Sequence, residues 1–349
     1  MEYSLLQKIL FQFDAERTHN FSLKTLSLLK KYNINLFSAK TLSAPCSLMG
    51  LSLPNPVGLA AGLDKNGEHI DALAAFGFGF IEVGTVTPKP QDGNLRPRLF
   101  RAEQQQAIVN RMGFNNLGID NLIQNIKKAN YDGVLGINIG KNATTPIENA
   151  VDDYLICLTK AYEYASYITV NISSPNTKNL RDLQQSDELE KLLSAIKEKQ
   201  LQLANDSSRY VPVAVKIAPD LEDEQIVDIA NIVRGLKIDG VIATNTTIDK
   251  SCLGDNPLAQ ENGGLSGRPL KDKSTLILQK LAHHLNHNQE KQIPIIGVGG
   301  IMSGDDAVDK FRNGATAVQL YSGLIYTGPD LVHDCVLSYV DYKKSSSSN

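Results

Sequence analysis

From residue 56 to about residue 339 the chain alternates short runs of β-branched and apolar residues with longer stretches whose apolar positions recur every three or four residues. The short runs predict strands at 57–60, 80–85, 133–139, 168–172, 213–217, 240–244, 295–298 and 317–320. The longer stretches predict amphipathic helices, among them 70–76, 152–165, 187–204, 223–236, 272–285 and 305–313. Several open on an aspartate suited to capping a helix N-terminus. Strands alternating with helices build a parallel sheet with helices outside it, and eight such units close an α/β fold of the TIM (β/α)8 barrel type.

The pattern changes at both ends. Leu5, Leu6, Ile9, Leu10 and Phe13 share one helical face, and Phe21, Leu26 and Leu29 recur at similar spacing beside Lys24, Lys30 and Lys31. Two short amphipathic helices are expected there, and periodicity alone favours a cap over one end of the barrel above a membrane-surface anchor. The Ser-, Asn- and Pro-rich stretch 38–56 predicts a small hairpin, and the four consecutive serines within 343–349 predict a disordered tail. The chain therefore divides into an N-terminal helical segment (1–40), a barrel (41–342) and the tail. Two connections, 88–118 and 246–271, are longer than barrel closure requires, and loops of that length carry function or form lids.

Composition narrows the classes. A length of 349 residues with 42% hydrophobic side chains supports one large domain, and a net charge of -3 gives no basic face for nucleic acid. Cys46, Cys157, Cys252 and Cys335 stand singly, so no zinc or iron–sulfur site is signalled and they read as reduced thiols of a cytoplasmic protein. His283, His284 and His287 share a helix face but lack acidic or cysteine partners nearby, so no metal is expected. The first 31 residues hold no apolar run long enough to span a bilayer, and Glu2, Lys8, Asp14 and Glu16 do not fit a cleaved signal sequence. The mature chain is expected to begin near Met1, with any membrane contact peripheral.

Active sites of such barrels lie at the C-terminal ends of the strands. Here those positions carry Ala61-Gly62-Leu63-Asp64-Lys65, Thr85, Asn138, Asn171 through Thr177, Lys216, Thr244-Asn245-Thr246, Gly299-Gly300 and Tyr321-Ser322-Gly323. Amides, hydroxyls and lysines at nearly every rim position exceed what a structural barrel requires. The small-residue turns after the seventh and eighth strands are where barrels present N–H groups to a phosphate. Lys216 lies among Val213, Val215 and Ile217, where a cation needs an anionic or electron-rich partner; the alternatives are a core carboxylate such as Glu82 or a cofactor. Asn110, Asn171, Asn176 and Asn245 offer paired donors and acceptors suited to a planar imide.

Four motifs, Ala61-Gly62-Leu63-Asp64-Lys65, Asn110-Arg111-Met112-Gly113-Phe114-Asn115-Asn116, Asn171-Ile172-Ser173-Ser174-Pro175-Asn176-Thr177 and Gly264-Leu265-Ser266-Gly267-Arg268-Pro269-Leu270, resemble those of dihydroorotate dehydrogenases. The likeness extends from the N-terminal helices to Tyr326-Thr327-Gly328-Pro329. It implies oxidation of dihydroorotate to orotate in pyrimidine biosynthesis, with FMN accepting a hydride from C6 while an active-site base removes a proton from C5. Ser174 matches the base; relatives using soluble acceptors carry cysteine there, so serine implies the quinone-linked, membrane-associated class. By the same resemblance FMN meets Ala61, Gly62, Leu63, Asp64, Lys65, Thr85, Asn138, Asn171, Lys216, Thr244, Gly267, Gly300, Tyr321 and Ser322. Substrate meets Lys65, Asn110, Arg111, Met112, Gly113, Phe114, Asn171, Asn176, Asn245 and Thr246.

The resemblance reverses the reading of the N-terminal helices, which become a membrane-facing tunnel through which ubiquinone or menaquinone reaches the flavin. His19 and Arg101 resemble positions near that tunnel, although His19 also reads as a capping residue. The implied location is the cytoplasmic side of the inner membrane, held peripherally, and a monomer would suffice. Two alternatives remain open on sequence alone: an FMN barrel with a soluble acceptor, and a non-catalytic barrel that binds a phosphate ligand.

Overall fold

The computed structural model describes residues 3–34 and 42–347. Eight parallel strands close a barrel: β1 (Val57–Leu59), β2 (Phe80–Val86), β3 (Val134–Ile139), β4 (Tyr167–Asn171), β5 (Val213–Ile217), β6 (Gly240–Ala243), β7 (Ile295–Val298) and β8 (Ala317–Leu320). They neighbour one another in chain order, and β8 returns to β1 with Val318 opposite Val57. All eight expected strands form. Alternate residues point opposite ways: Phe80, Tyr167, Ala214, Ile242, Ile296 and Ala317 fill the barrel, whereas Ile81, Val83, Ile168, Val170, Val213 and Val215 face the surrounding helices.

The expected hairpin forms from Cys46–Leu48 and Leu51–Leu53. Its turn residues Met49 and Gly50 both take positive φ, the geometry that matches strand twist in a two-residue hairpin. Leu48 and Leu53 join the cluster inside the barrel, and Gly240 at the start of β6 approaches Met49, so the hairpin plugs the N-terminal mouth. Residues 38–41 of that stretch lie outside the described residues.

The outer helices include α3 (Ile70–Ala74), α4 (Ile119–Ile126), α5 (Ala150–Ala161), α6 (Ser186–Ser207), α7 (Asp223–Gly235), α8 (Lys271–Asn286) and α9 (Gly304–Arg312). Their aspartates are not the caps that the sequence suggested. Glu222 precedes α7 and its N–H reaches Gln225 Oε1 at 3.0 Å, while Ser303 precedes α9 and accepts from the Asp306 N–H at 3.2 Å. Asp223, Asp272 and Asp305 sit in first turns instead, where a negative charge complements the helix dipole.

The two long connections are not separate lids. Leu99–Ala102 and Ala107–Asn110 from the first pair antiparallel, and Gly264–Gly267 from the second adds to Ala107–Asn110. The resulting three-stranded sheet sets Gly264 opposite Asn110. Gly267 has φ +99, and a Cβ there would come within 2.2 Å of the Gln106 carbonyl oxygen, so the close pairing requires glycine.

At the N-terminus, α1 (Tyr3–Leu10) lies against the last barrel unit, and α2 (Ala15–Lys31) lies against α3 and this sheet. The Tyr3 hydroxyl donates to the Ile325 carbonyl (2.7 Å) and Gln7 to that of Tyr326 (2.7 Å), both in α10 (Ser322–Thr327). Asp14 caps α2 by accepting from the Arg17 N–H (2.8 Å), which puts His19 inside the helix and removes its capping reading. At the other end, α11 spans Asp330–Ser347. The expected disorder from Lys343 is thus not found through Ser347: the Ser345 and Ser346 hydroxyls return to the Tyr342 carbonyl at 2.8 and 2.9 Å, and the helix continues.

Candidate functional site

A cavity opens at the C-terminal ends of the strands, bounded by their loops and the three-stranded sheet. Ala61, Gly62 and Lys65 line it after β1, Thr85 from β2, and Asn171, Ser174 and Asn176 at and beyond the end of β4. Lys216 enters from β5, Thr244, Asn245 and Thr246 follow β6, and Gly299, Gly300, Tyr321 and Ser322 follow β7 and β8. The sheet contributes Asn110, Ser266 and Gly267, and the segment after Asn110 contributes Met112, Gly113 and Phe114.

The amides are fixed in two hydrogen-bonded groups, Asn110 with Asn176 and Asn171 with Asn245, Ser173 and Thr85. Asn176 Nδ2 donates to Asn110 Oδ1 (3.1 Å), Asn245 Nδ2 to Ser173 Oγ (3.0 Å), and Asn171 Nδ2 to Thr85 Oγ1 (2.9 Å). Yet among the described residues Asn176 Oδ1, Thr246 Oγ1 and Gln319 Oε1 on the cavity wall have no partner, nor has Thr177 Oγ1 one residue beyond Asn176. Buried polar atoms without partners are scarce in folded proteins, and their convergence marks a place that a polar ligand completes. Ser174 is buried, and its Oγ accepts from the Asn176 N–H at 3.2 Å.

Neither lysine makes an ion pair among the described residues, although carboxylate charges act on both from a distance. Lys216 is buried, and no hydrogen-bond or ion-pair partner for its ammonium is found among the described residues; burial pushes its pKa down. Glu82 acts on Lys216 only through space, opposing the effect of burial, because its oxygens are taken by neutral donors inside the barrel: Asn138 Nδ2, Tyr167 Oη and Gln319 Nε2, each at 2.8 Å. Lys65 is brought down to about 8, first by burial and then by the Arg98 charge. Cations desolvated without partners favour an incoming anion or electron-rich edge.

Four expected residues lie behind the wall. Asp64 turns its carboxylate to the Glu68 and His69 N–H groups (3.0 and 2.7 Å), and burial raises its pKa. Asn138 props up Thr85 and Asn171 through Oδ1, at 2.6 and 3.2 Å. Arg111 turns outward to pair with Glu261 and to donate to the Pro97 carbonyl (2.7 Å). Leu63 faces a second cavity. Conversely, the sequence reading missed Gln319 and Ile301 on the wall; a glutamine at an inward position of β8 was the available signal for the first. It also missed Lys310, buried behind the Gly299 turn, whose Nζ donates to Ser274 Oγ (2.6 Å) while that hydroxyl donates to the Gly299 carbonyl (3.0 Å).

The second cavity, of about 230 Å³, lies beneath α1 and α2. Its wall is mainly apolar, with Leu6, Leu10, Leu26, Leu73, Phe76 and Ile108 among its residues. His19 lines it and is kept neutral by burial and the nearby Lys65 charge, with its pKa lowered to about 3. Arg101 also lines it, donating to the Phe11 and Phe13 carbonyls with its guanidinium 4.4 Å from the Phe11 ring centroid. Tyr321 belongs to both cavities and separates them.

Among known proteins, the dihydroorotate dehydrogenase family model matches residues 43–338. The chain is 64% identical over 334 residues to a Neisseria meningitidis protein named dihydroorotate dehydrogenase (quinone), covering 96% of this chain and 98% of that one. It is 59% identical over 343 residues to a Chromobacterium violaceum protein of the same name, covering 98% of each. The Eimeria tenella DHODH structure in complex with ferulenol superposes with a TM-score of 0.87 at 37% identity, covering 96% of this chain and 93% of that one.

Proposed function

Since this chain belongs to the dihydroorotate dehydrogenase family, we propose that its two cavities serve the two halves of one flavin cycle. The protein is a quinone-linked dihydroorotate dehydrogenase, a flavin-dependent oxidoreductase of pyrimidine biosynthesis that converts dihydroorotate to orotate. The observation that carries the assignment of parts is the meeting of Ser174, Lys65 and Lys216 on one cavity wall.

FMN fits the rim cavity on three counts. Lys216 offers an unpaired buried cation, Gln319 Oε1 an unused acceptor, and Gly299, Gly300 and Ser322 a wall of small residues where main-chain N–H groups can meet a phosphate. Held by Lys216, Gly300 and Ser322, FMN would supply a two-electron acceptor between substrate C6 and quinone. Lys65 answers the substrate carboxylate, and Asn110, Asn171, Asn176 and Asn245 hold the imide edge. Ser174 Oγ takes the C5 proton. A serine hydroxyl is a weak base at neutral pH, so its proton must leave as it takes the substrate's. Thr177, with a buried hydroxyl lacking a partner, is suited to pass it on through water.

The apolar cavity then admits the quinone, with His19 and Arg101 near its head group. Leu5, Ile9, Phe13, Phe21 and Leu28 are exposed on or beside α1 and α2, which suits them to rest on the cytoplasmic face of the inner membrane. No helix of the described residues is long and apolar enough to cross a membrane, so the attachment in this reading is peripheral. The purified protein should be yellow, bleach anaerobically with dihydroorotate, and regain colour with quinone. Faster recovery with fumarate or NAD would favour the soluble-acceptor alternative, and no bleaching would favour the non-catalytic one.

A further inference from the structure

The loop after β4 carries Ser174 and Asn176, and the loop after β6 carries Asn245 and Thr246. Neither loop is a regular element at these positions, yet both must hold hydroxyls and amides in fixed relation to one small ring. One side chain joins them. Arg181, in the 3-10 turn Leu180–Gln184, donates from Nε to the Ser173 carbonyl (3.0 Å) and from Nη2 to the Thr246 carbonyl (2.8 Å). Its remaining arm, Nη1, meets Asp220 Oδ2 at 2.9 Å.

Asp220 is itself anchored. It follows β5 and accepts from the Thr247 hydroxyl, from the Ile248 N–H (3.0 Å) and from Lys273 Nζ on α8 (2.6 Å). These donors hold its carboxylate below the usual range despite partial burial. Gln184, at the other end of the 3-10 turn, accepts from the Ala218 N–H at 2.8 Å and fixes that turn to the end of β5. The guanidinium thus sits between three strand-end loops and is not among the cavity-lining groups.

We propose that Arg181, held by Asp220, is a positioning residue for proton abstraction: it sets the peptide carrying Ser174 against the Asn245–Thr246 loop. A planar fork with donors in three directions matches one carboxylate and two carbonyls at once, whereas a lysine ammonium on the same stem cannot reproduce that pattern. The carbonyls it holds belong to Ser173, adjacent to Ser174, and to Thr246, adjacent to Asn245. Displacement of either by about 1 Å misplaces base relative to substrate, an error that costs about 100-fold in rate. The inference rests on Ser174 as base, and the two stand or fall on different measurements.

The test is a double-mutant cycle on anaerobic flavin reduction, with Arg181→Ala, Ser174→Ala and their combination in the full-length holoprotein. Arg181→Ala should retain its flavin spectrum, reduce about 100-fold more slowly at saturating dihydroorotate, and be re-oxidised by quinone at the normal rate. Arg181→Lys should lie between, and added guanidinium should restore part of the lost rate in the alanine variant. Over Ser174→Ala, the Arg181 change should add little, because a misplaced base and an absent base lose the same contribution. Full multiplication of the two effects, or equal slowing of re-oxidation by quinone, would overturn the positioning role while leaving Ser174 as base. Near-normal reduction by Ser174→Ala alone would remove the base itself. If Arg181→Ala fails to hold flavin, the same cycle with Arg181→Lys and Asp220→Asn decides between these outcomes.

Discussion

The two cavities share the Tyr321 side chain and little else. The rim cavity is walled by amides, hydroxyls and two lysines without carboxylate partners, whereas the cavity under α1 and α2 is walled by leucine, isoleucine and phenylalanine. Charge is treated in opposite ways. Lys65 and Lys216 are left desolvated and without an ion-pair partner among the described residues, so an anion or electron-rich ring gains from meeting them. In the apolar cavity His19 is neutral, and the guanidinium of Arg101 is occupied by main-chain carbonyls and the Phe11 ring. The difference separates a chamber that stabilises developing charge from one that takes a hydrophobic acceptor, with one aromatic ring between them.

Each chamber can be broken separately. The largest effect is expected from Ser174→Ala, which should slow flavin reduction by about 1,000-fold, within the span of general-base catalysis, and leave re-oxidation by quinone intact; stopped-flow absorbance reads both. Next is Lys65→Met, which removes a charged hydrogen-bond donor worth about 2 kcal/mol and should weaken orotate binding by about 30-fold, as read by titrating the flavin absorbance. In the unmodified protein the same lysine sets a pH limit. Its pKa of about 8 in the free site means that the binding-competent ammonium is lost as pH rises through 8, so orotate affinity should fall by about tenfold per unit above it. A pH-independent affinity from 7 to 10 would show that Lys65 does not answer the carboxylate.

A smaller effect belongs to the second chamber. Arg101→Ala should raise the KM for quinone by about tenfold through loss of the 10–13 turn it holds, with dihydroorotate kinetics unchanged. Smaller still is the pH response of the ion pair that ties α2 to the 88–118 connection. Glu16 on α2 accepts from Arg98 Nη2 at 2.7 Å, and Arg98 in turn holds the Asp92 and Asn94 carbonyls beside the substrate loop. Burial opposes ionisation of Glu16, but the Arg98 and Arg96 charges outweigh it and lower its pKa. A carboxyl lowered on folding stabilises the fold above its unfolded pKa and loses that contribution as pH falls through the folded value. Glu16→Gln should therefore flatten the acid limb of a Tm-against-pH curve below about pH 4.5; an unchanged limb would show that this ion pair adds nothing to stability.

Much of the rim chamber was legible because a β/α barrel puts the residue after each strand on one face, so strand ends alone gathered Ser174, Lys216, Thr244 and Gly300. What failed was anything set by side-chain direction or by pairing distant in sequence. Asp64 and Asn138 occupy rim positions but turn their side chains to the Glu68 and His69 amides and to Glu82. Ala107–Asn110 is too short, and Gly264–Gly267 too short and too rich in small residues, to announce a sheet whose paired strands lie more than 150 positions apart. The apolar chamber could be read from the residues only as amphipathic periodicity, which does not distinguish a packed cap from a lined cavity; the tunnel reading came from the family resemblance.

The most direct measurement follows reduction and re-oxidation of the flavin separately in Ser174→Ala and Arg101→Ala, with dihydroorotate as donor and a short-chain quinone as acceptor. We expect Ser174→Ala to slow reduction alone and Arg101→Ala to slow re-oxidation alone. Equal slowing of both steps by either variant would contradict the division of one cycle between two chambers.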